Sequence, residues 1–310
     1  MKKTVVLITG ANGQIGKVLT SALRSKYGYE NVIATDLTEA KHNGPFEILD
    51  ITDKARMKEI IKQYEVDHIY HLAAILSSNG ERNIHLTWEV NLESYLSMLD
   101  LACELKIDRI FFPSTIGVYG PTTPRVNTPQ NTSFVPSTVY GISKLAGELW
   151  NQYYRKRYGL DIRSIRYPGV ISYQSIPSGG TTDFAVEMFF EALEKGHYEC
   201  FLRSDTRLPM VYMPDVIEGT LKLMSADKSD VSIACGYNLA SFSLTPEELF
   251  YEIKKHIPDF TISYFPDQRQ QIADSWSESI DDSLARKDWG WSPAYNMEQM
   301  VVDMIGHIKP

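Results

Sequence analysis

The sequence predicts an α/β protein organised around an open parallel sheet. Short apolar, β-branched runs alternate with segments of helical periodicity along the chain. The first of these runs, residues 4–9, is followed at once by a glycine-rich loop and an amphipathic helix. The 310 residues suffice for one large α/β unit or for two domains, and 43% of them are hydrophobic, enough for a substantial core.

Composition narrows the classes of partner. The formal net charge is −8, and lysine and arginine form no basic block, so neither a nucleic acid nor an anionic membrane surface is expected as a partner. No apolar run reaches the length of a membrane-spanning helix. Cys103, Cys200 and Cys235 are odd in number and far apart, which argues against a disulfide framework and a cysteine metal site. We therefore expect a small-molecule partner and a cytoplasmic location, or the mitochondrial matrix if a transit peptide was removed.

The loop after the first strand has the composition of a dinucleotide-binding turn. Its glycines are spaced G-x-x-G-x-x-G, between a strand and a helix whose apolar side begins at Ile15. Glycines permit a tight turn and close backbone approach, and the helix N-terminus offers free N–H groups to a pyrophosphate. The cofactor-binding residues predicted here are Gly10, Asn12, Gly13, Gln14, Ile15 and Gly16.

The second strand, 32–35, ends at Asp36, followed by Leu37. A carboxylate at this position accepts hydrogen bonds from both adenosine ribose hydroxyls and repels a 2′-phosphate, so the sequence predicts NAD rather than NADP. The alternative is a solvated residue at a strand end. The third strand, 46–49, ends in Asp50 and Ile51, which places a second carboxylate within reach of the adenine amine.

The fourth strand begins at His68 and runs into the small residues Leu72, Ala73 and Ala74, where backbone can approach a cofactor closely. His71 is interpreted as a packed core histidine, since no second ligand stands at metal spacing; no metal site is predicted. The polar loop 75–81 follows, and its Ser77 and Ser78 are candidates for substrate contacts.

A single long helix is predicted over 83–105. Asn91 lies midway along it among apolar residues, and either faces solvent or makes a specific hydrogen bond. A fifth strand, 108–113, then carries Ser114 and Thr115 to the same edge of the sheet. A hydroxyl there would bind a substrate hydroxyl, although the same residues are also typical of a simple turn.

Tyr140 and Lys144 are four residues apart in Tyr-Gly-Ile-Ser-Lys and share one face of the next helix. An ammonium beside a phenol favours the phenolate, which makes Tyr140 a candidate general base. The alternative is an amphipathic helix with a surface tyrosine and lysine. The preceding glycine loop, Asp36 and hydroxyl turn favour the catalytic interpretation.

Together these motifs resemble the extended short-chain dehydrogenase/reductase family. The matching segments are TGANGQIG at 9–16, Asp36, HLAA at 71–74, Asn91, PSTIGVYG at 113–120, YGISK at 140–144 and RYPGVIS at 166–172. The resemblance implies a Rossmann-type, doubly wound parallel sheet with a smaller, discontinuous C-terminal substrate domain. Residues 1–170 would form the NAD-binding domain, with 205–240 returning to it, and 171–310 mainly the substrate-binding domain.

The resemblance also implies residue roles. Tyr140 and Lys144 would be the catalytic pair, with Lys144 holding the nicotinamide ribose and Tyr167 close to the cofactor. Thr115 falls on the catalytic Ser/Thr position with Ser114 adjacent, and Asn91 on an asparagine linked to a proton-relay water. Members commonly dimerise through the helix near 83–105 and the one carrying Tyr140, so a homodimer is expected.

The second half indicates the substrate class. Family members that act on nucleotide sugars grip the diphosphate with an arginine where this chain has Leu208, although Arg203 or Arg207 would be possible substitutes. The turn at 177–185 instead offers Gly179, Thr181 and Thr182 at a helix N-terminus for a small carboxylate, or as plain capping.

Trp276 either closes the pocket or packs in the core. The resemblance, which extends to the segments 177–189, 200–202, 208–215 and 274–276, implies NAD-linked oxidation of a small hydroxy amino acid, with a nucleotide-sugar epimerase or dehydratase and a non-catalytic NAD-binding regulator as alternatives. The remaining segments are interpreted as scaffold: helices at 183–195, 216–224, 246–256, 283–289 and 297–308, and strands at 236–240 and 261–265.

Overall fold

The computed structural model describes residues 3–40, 43–174 and 180–308, and Gly179, a predicted substrate residue, lies outside them. The strands of this part of the chain are β1 (Val6–Thr9), β2 (Val32–Asp36), β3 (Phe46–Ile48), β4 (His68–His71), β5 (Arg109–Thr115), β6 (Ile162–Tyr167), β7 (Gly169–Ile171), β8 (His197–Cys200), β9 (Leu208–Tyr212), β10 (Tyr237–Asn238), β11 (Phe242–Leu244) and β12 (Thr261–Tyr264).

The helices of the same residues are α1 (Gln14–Tyr27), α2 (Lys54–Gln63), α3 (Ser77–Gly80), α4 (Ile84–Trp88), α5 (Ser94–Leu105), α6 (Val139–Tyr158), α7 (Phe184–Glu194), α8 (Met213–Ser225), α9 (Pro246–Lys254), α10 (Arg269–Asp274), α11 (Ser283–Trp289) and α12 (Met297–His307). None of these helices combines the length and the apolar character needed to cross a membrane.

The central sheet has seven strands in the order β10-β6-β5-β4-β1-β2-β3, and every pairing in it is parallel. The strand order reverses between β1 and β4, since the chain moves outward from β1 to β3 on one side and from β4 to β6 on the other. Ligands of such sheets bind at the carboxyl ends of the strands beside this reversal. The predicted doubly wound parallel sheet is therefore confirmed, and its geometry places a crevice beside the glycine loop.

Alternate side chains of the strands enter cores on opposite faces of the sheet. In β1, Val6 and Ile8 pack with α1, α8 and α11, whereas Leu7 packs with α2 and α5. All three are fully buried, and burial of one such side chain contributes about 1.5–3 kcal/mol. Trp289 of α11 belongs to the first core, so this late segment returns to the main sheet together with α8 and β10.

A third core lies beyond the carboxyl edge of the sheet. It contains Phe184 and Phe189 of α7, Leu249 of α9 and Met300 of α12, all fully buried. Around it lie a mixed three-stranded sheet, β11-β9-β7, and the parallel pair β12-β8. This smaller unit closes the crevice from the side opposite the glycine loop.

The predicted helix over 83–105 is interrupted. It consists of α4, a π-helical turn at Glu89–Glu93, and α5. The extra residue of such a turn rotates one side chain relative to a regular helix, and π-helical turns are frequent at functional sites. Asn91 lies in this turn, so the interruption determines where its amide points.

Candidate active site

The glycine loop is shaped by two close approaches. Gly10 has φ +69°, and a Cβ there would lie 2.7 Å from the backbone N of Ala73. A Cβ at Gly16 would lie 2.1 Å from the carbonyl oxygen of Gly10. Helix α1 starts at Gln14 after Gly13, which gives no side-chain cap, so the first N–H groups of the helix remain open to an anion.

Asp36 lies at the end of β2 with its carboxylate oriented by the loop. Its two oxygens accept hydrogen bonds from the backbone N–H groups of Asn12, at 2.9 Å, and Leu37, at 2.8 Å. Asp50 accepts from the N–H and the hydroxyl of Thr52, at 2.9 and 2.7 Å. These residues line a cavity of about 700 Å³, together with Gly10, Gly13, Ile51, Leu72, Ala73 and Ala74.

A second cavity, of about 280 Å³, adjoins the glycine loop at the carboxyl ends of β4, β5 and β6. It brings together most of the predicted catalytic and substrate residues and part of the loop: Gly10, Gly13, Gln14, Ile15, Gly16, Leu72, Ala74, Ser77, Ser114, Thr115, Tyr140, Lys144, Tyr167, Thr181, Thr182 and Trp276. Ser78, also in the described part of the chain, is half-buried and is not among these lining residues.

The Tyr140–Lys144 pair lies in the first two turns of α6. Thr138 caps this helix by accepting from the N–H of Gly141 at 3.1 Å. The Lys144 Nζ atom donates to the carbonyl oxygen of Pro113 at 2.9 Å and lies 5.9 Å from the centroid of the Tyr140 ring. A single carbonyl at the end of β5 therefore holds the ammonium beside the phenol.

Burial acts on both members of the pair. Burial raises the pKa of Tyr140 to about 12, although a hydrogen bond with Thr115 lowers this pKa in part. It also lowers the pKa of Lys144 to about 7. Each charge alone is therefore disfavoured in the cavity, whereas a phenolate and an ammonium formed side by side stabilise each other. With the pKa of Tyr140 at about 12, formation of the phenolate near neutral pH requires a further positive charge close to the ring.

The two candidate hydroxyls of β5 have different partners. Thr115, besides its hydrogen bond with Tyr140, accepts from the N–H of Gly117 at 3.0 Å. Ser114 donates to the Oε1 atom of Glu148 at 2.5 Å. Thr115 is therefore the hydroxyl that can act together with the phenol, and Ser114 is already bound to a carboxylate.

Asn91 makes a specific, buried set of hydrogen bonds. Its Oδ1 accepts from the N–H of Ile75 at 2.8 Å, and its Nδ2 donates to the carbonyl oxygen of Ile75 at 2.9 Å. A longer contact of 3.4 Å joins Nδ2 to the hydroxyl of Ser143. Asn91 thus fixes the loop that leads to Ser77. Its suggested link to a proton-relay water remains a prediction.

His71 and Tyr167 are buried at the carboxyl ends of β4 and β6, the two strands that flank β5. Burial and the nearby Lys144 lower the pKa of His71 to about 3, and its ring stacks on Tyr95 with centroids 5.2 Å apart. The Tyr167 hydroxyl is hydrogen-bonded to that of Thr220. Among the residues described, no group of three or more His, Cys, Asp or Glu side chains is arranged to hold a metal ion.

Sequence reasoning missed one functional candidate, Asp183. It immediately precedes α7, accepts from the N–H of Gly180 at 2.7 Å, and is the one carboxylate among the described residues that line the smaller cavity. The signal was an acidic residue after two threonines in Gly-Gly-Thr-Thr-Asp, which was interpreted as a helix cap. Beside it, the Thr181 hydroxyl is buried and has no hydrogen-bond partner.

No arginine is among the described residues that line either cavity. Leu208 is fully buried in the C-terminal core. Arg203 pairs with Asp274 at 2.6 Å, and Arg207 forms an ion pair with Glu248. Neither possible substitute lines a cavity, so within the part of the chain that the structure describes no cavity-lining guanidinium is available to bind a diphosphate.

A nucleotide-binding crevice with a Tyr-x-x-x-Lys pair and an adjacent threonine defines a class of dehydrogenase-like enzymes. The sequence profile of the NAD dependent epimerase/dehydratase family matches residues 6–238, and the chain belongs to this family. A curated relative, an uncharacterized epimerase/dehydratase of Staphylococcus aureus, is 45% identical over 100% of this chain and 97% of its own length.

Within the family, the chain is similar to solved L-threonine dehydrogenases. The enzyme from Cupriavidus necator, in its holo form, is 45% identical with a TM-score of 0.97, covering 98% of this chain and 100% of that one. The enzyme from Phytophthora infestans is 44% identical with a TM-score of 0.96, covering 98% of each chain. A monomeric L-threonine 3-dehydrogenase from a metagenome is 47% identical with a TM-score of 0.95, covering 97% of this chain and 98% of that one.

Proposed function

We propose that this protein is an NAD-dependent L-threonine 3-dehydrogenase, which oxidises the β-hydroxyl of L-threonine to 2-amino-3-ketobutyrate. The observation that carries the proposal is the smaller cavity, where Tyr140, Thr115 and Lys144 face hydroxyls and a carboxylate, and where no arginine is among the described lining residues. Four segments of the sequence resemble those of this enzyme in particular: PSGGTTDFAVEMF at 177–189, CFL at 200–202, LPMVYMPD at 208–215 and Asp274-Ser275-Trp276. The similar solved structures bear the same name.

Two groups of this chain handle the reacting hydroxyl. Thr115 orients it by hydrogen bonding, and Tyr140, as phenolate, accepts its proton. Bound NAD⁺ would supply the acceptor for the hydride of the β-carbon, so that loss of this C–H bond and of the O–H bond gives the C=O bond of the product. Lys144 stabilises the phenolate and supplies a donor for the nicotinamide ribose, which couples proton removal to cofactor binding.

The cofactor assignment follows from the larger cavity. Asp36 presents a carboxylate whose orientation is fixed by two backbone N–H groups, a suitable acceptor for ribose hydroxyls. A 2′-phosphate would meet this negative charge. The open N–H groups at the start of α1 suit the pyrophosphate between the two cavities.

The two charged groups of an amino acid have complementary partners in the smaller cavity. Asp183 is its one described carboxylate and suits an ammonium. Thr181 offers a buried hydroxyl without a partner, and Thr182 a second hydroxyl, for the substrate carboxylate. Trp276, which is 6% exposed, forms the opposite wall and limits the size of the side chain that fits.

The alternatives lack such support. A nucleotide-sugar epimerase would need a grip on the diphosphate, and Arg203 and Arg207 are engaged in ion pairs elsewhere. A non-catalytic NAD-binding regulator would not need Tyr140, Lys144 and Thr115 in contact with one cavity.

The deciding experiment is an absorbance assay of NADH formation by the purified chain. L-Threonine, other β-hydroxy amino acids, β-hydroxy acids without the amine, and UDP- and GDP-sugars are compared with NAD⁺ and NADP⁺. We expect NADH formation with L-threonine and NAD⁺, and weaker turnover without the amine. Turnover of a nucleotide sugar without any threonine-dependent signal would refute the proposal.

We further propose that the protein forms a homodimer through α6 and the α4–α5 segment. The outer side of α6 exposes large apolar residues, among them Leu149 at 59%, Trp150 at 38% and Tyr153 at 50%. Ile84 and Leu86 of α4 are also exposed. Since one similar enzyme is described as monomeric, light scattering of the wild type and of Trp150→Glu is the direct test. A monomeric wild type would contradict the proposal.

The compartment we propose is the cytoplasm. Cys103, Cys200 and Cys235 are all unpaired thiols, which suits a reducing environment. Cell fractionation with an antibody against the chain would test this location.

A further inference from the structure

A buried carboxylate continues the catalytic face of α6. Tyr140, Lys144 and Glu148 are spaced four residues apart, so their side chains project from the same side of the helix. Glu148 is only 1% exposed. Its charge is met by Arg166 of β6, whose Nη2 donates to Oε2 at 2.6 Å and whose Nε donates to Oε1 at 2.9 Å. The pair is bidentate and closed to solvent.

This ion pair also binds the strand that carries Thr115. The Oε1 atom of Glu148 accepts from the Ser114 hydroxyl at 2.5 Å, and Ser114 is aligned with Arg166 in the β5–β6 pairing. The next residue pair in the same register is Thr115 with Tyr167. Glu148 therefore connects helix α6 to β5 at Ser114, one residue before Thr115, which contacts the Tyr140 phenol.

The Arg166 nitrogen that does not contact Glu148, Nη1, binds two further segments of the chain. Nη1 donates to the carbonyl oxygen of Gln130 at 3.0 Å and to the Oδ1 atom of Asn238 at 3.1 Å. The ion pair is tightly packed on the side of Gly236: a Cβ there would lie 2.6 Å from the Cγ of Arg166 and 2.8 Å from Oε1 of Glu148. Five segments thus converge on one charge pair behind the catalytic residues.

We propose that Glu148 and Arg166 are positioning residues, which set the distance and angle between Tyr140–Lys144 on α6 and Thr115 on β5. This inference rests on the proposed dehydrogenase function. Ser114 acts through Glu148 in this arrangement and does not bind the substrate. A buried ion pair adds little net stability over an apolar pair, but its fixed geometry restricts how a helix can sit on a sheet. General-base chemistry is sensitive to that placement.

The chain contains a matched control. Asp161 and Arg163 form another buried, bidentate pair, at 3.0 and 2.9 Å, at the amino end of β6, which is the end away from the cavity. Glu148→Gln and Asp161→Asn each replace a carboxylate by an amide of the same shape beside a buried arginine. Asp161 also binds Arg109 at 3.1 Å, as Glu148 also binds Ser114, so each variant weakens a carboxylate with more than one partner, while only Glu148→Gln lies behind the active site.

With L-threonine and NAD⁺, we expect Glu148→Gln to lower kcat by about 10- to 100-fold with little change in the KM for NAD⁺, and Asp161→Asn to leave kcat near the wild-type value. Ser114→Ala, which keeps the ion pair, should lower kcat by a smaller factor. In the double variant, the reductions in kcat caused by Ser114→Ala and Glu148→Gln should be less than additive, because both substitutions disrupt the same hydrogen bond between Ser114 and Glu148. Equal kcat in the two carboxamide variants, or a Ser114→Ala defect that adds fully to Glu148→Gln, would overturn the proposal.

Hydrogen exchange separates this inference from the proposed function. In Glu148→Gln, amides of residues 113–118 and 139–144 should exchange faster than in Asp161→Asn, whether or not L-threonine is the substrate. A wild type without threonine turnover but with this exchange pattern would refute the function and leave the positioning role. If Glu148→Gln fails to fold, exchange and kcat in Ser114→Ala carry the test, and unchanged values in both would overturn the inference.

Discussion

At the scale of single residues, the central fact is that burial opposes both charges that the catalytic pair needs. The cavity raises the pKa of Tyr140 and lowers that of Lys144, so in the free protein the proton stays on the phenol. Binding of a positively charged nicotinamide would favour the phenolate by its field. In the proposed mechanism, Tyr140 would therefore become an effective base only when the cofactor is bound.

Replacing Tyr140 with phenylalanine removes the hydroxyl and leaves the ring in its site. We expect kcat with L-threonine to fall by about 10²- to 10⁴-fold, because a positioned general base contributes a factor of this size. NAD⁺ affinity, measured by titration calorimetry, should change little. Tyr153→Phe, on the exposed side of the same helix, is the control and should retain wild-type kcat. Full activity of Tyr140→Phe would eliminate the mechanism.

Asp36 makes a prediction about cofactor choice. Asp36→Ala removes two charge-assisted ribose contacts and the repulsion of a 2′-phosphate, so the KM for NAD⁺ should rise at least about tenfold while NADP⁺ becomes usable. Initial rates with both cofactors measure the change. Asp50→Ala, which alters the other carboxylate of the same cavity, should not admit NADP⁺. An unchanged NAD⁺ preference in Asp36→Ala would refute the assignment.

At the scale of elements, the strands β1 to β5 and the helices α1, α2 and α6 followed from hydrophobic period and glycine placement, whereas β6 was not predicted as a strand. Strand ends were the least predictable feature. The fifth strand was expected to stop at Pro113 but continues to Thr115, because Ser114 and Thr115 also pair with β6. The loop at 75–81 contains the short helix α3. In both places, contacts with distant segments override the local turn signal.

The interruption of the helix at 83–105 could not be derived from the sequence. A local pattern of apolar residues is compatible with a continuous helix, whereas the π-helical turn accompanies a double hydrogen bond between Asn91 and Ile75, a contact outside the local pattern. The sequence did show that a polar residue lay in an apolar stretch. It could not show which partner, 16 residues away, that residue would find.

Asn91→Ala should release the loop that carries Ser77. Losing the two bonds to Ile75 should lower the free energy of unfolding by about 1–3 kcal/mol and raise the KM for the amino acid more than the KM for NAD⁺. Asn83→Ala is the control: it removes the cap of α4, costing about 1 kcal/mol, without touching the loop anchor. Steady-state kinetics and urea unfolding of both variants give the comparison. Equal KM values for the amino acid in the two would show that the anchor does not shape the site.

At the scale of the whole molecule, the residues of the candidate active site come from elements that pack in three different hydrophobic cores. The glycine loop and Asp36 were predictable because their signals are local and come in chain order. Trp276, just after α10, and Asp183, just before α7, both line the cavity, and their positions depend on how the C-terminal core packs. The short strands β7, β8, β9 and β11 were not predicted, because they are defined by pairing with segments distant in the sequence and no glycine loop or turn motif marks them.

The last prediction concerns the acid stability of the whole fold. His71 is buried and neutral, with a pKa near 3 in the folded protein, below the value of about 6.5 in an unfolded chain. Between these values the unfolded chain binds a proton that the folded protein does not. The contribution of His71 to stability is therefore complete above pH ~6.5 and is lost as the pH falls toward ~3.

His71→Gln cannot titrate, so its free energy of unfolding should fall less steeply with acid. Between pH ~6.5 and ~4.5, the wild type should lose about 2–3 kcal/mol more than the variant, measured by urea unfolding at each pH. Carboxylates that protonate in this range act on both proteins and cancel in the difference. His85→Gln removes a histidine from an exposed site and should follow the wild-type curve. Parallel curves for His71→Gln and the wild type would mean that His71 becomes protonated without unfolding the core.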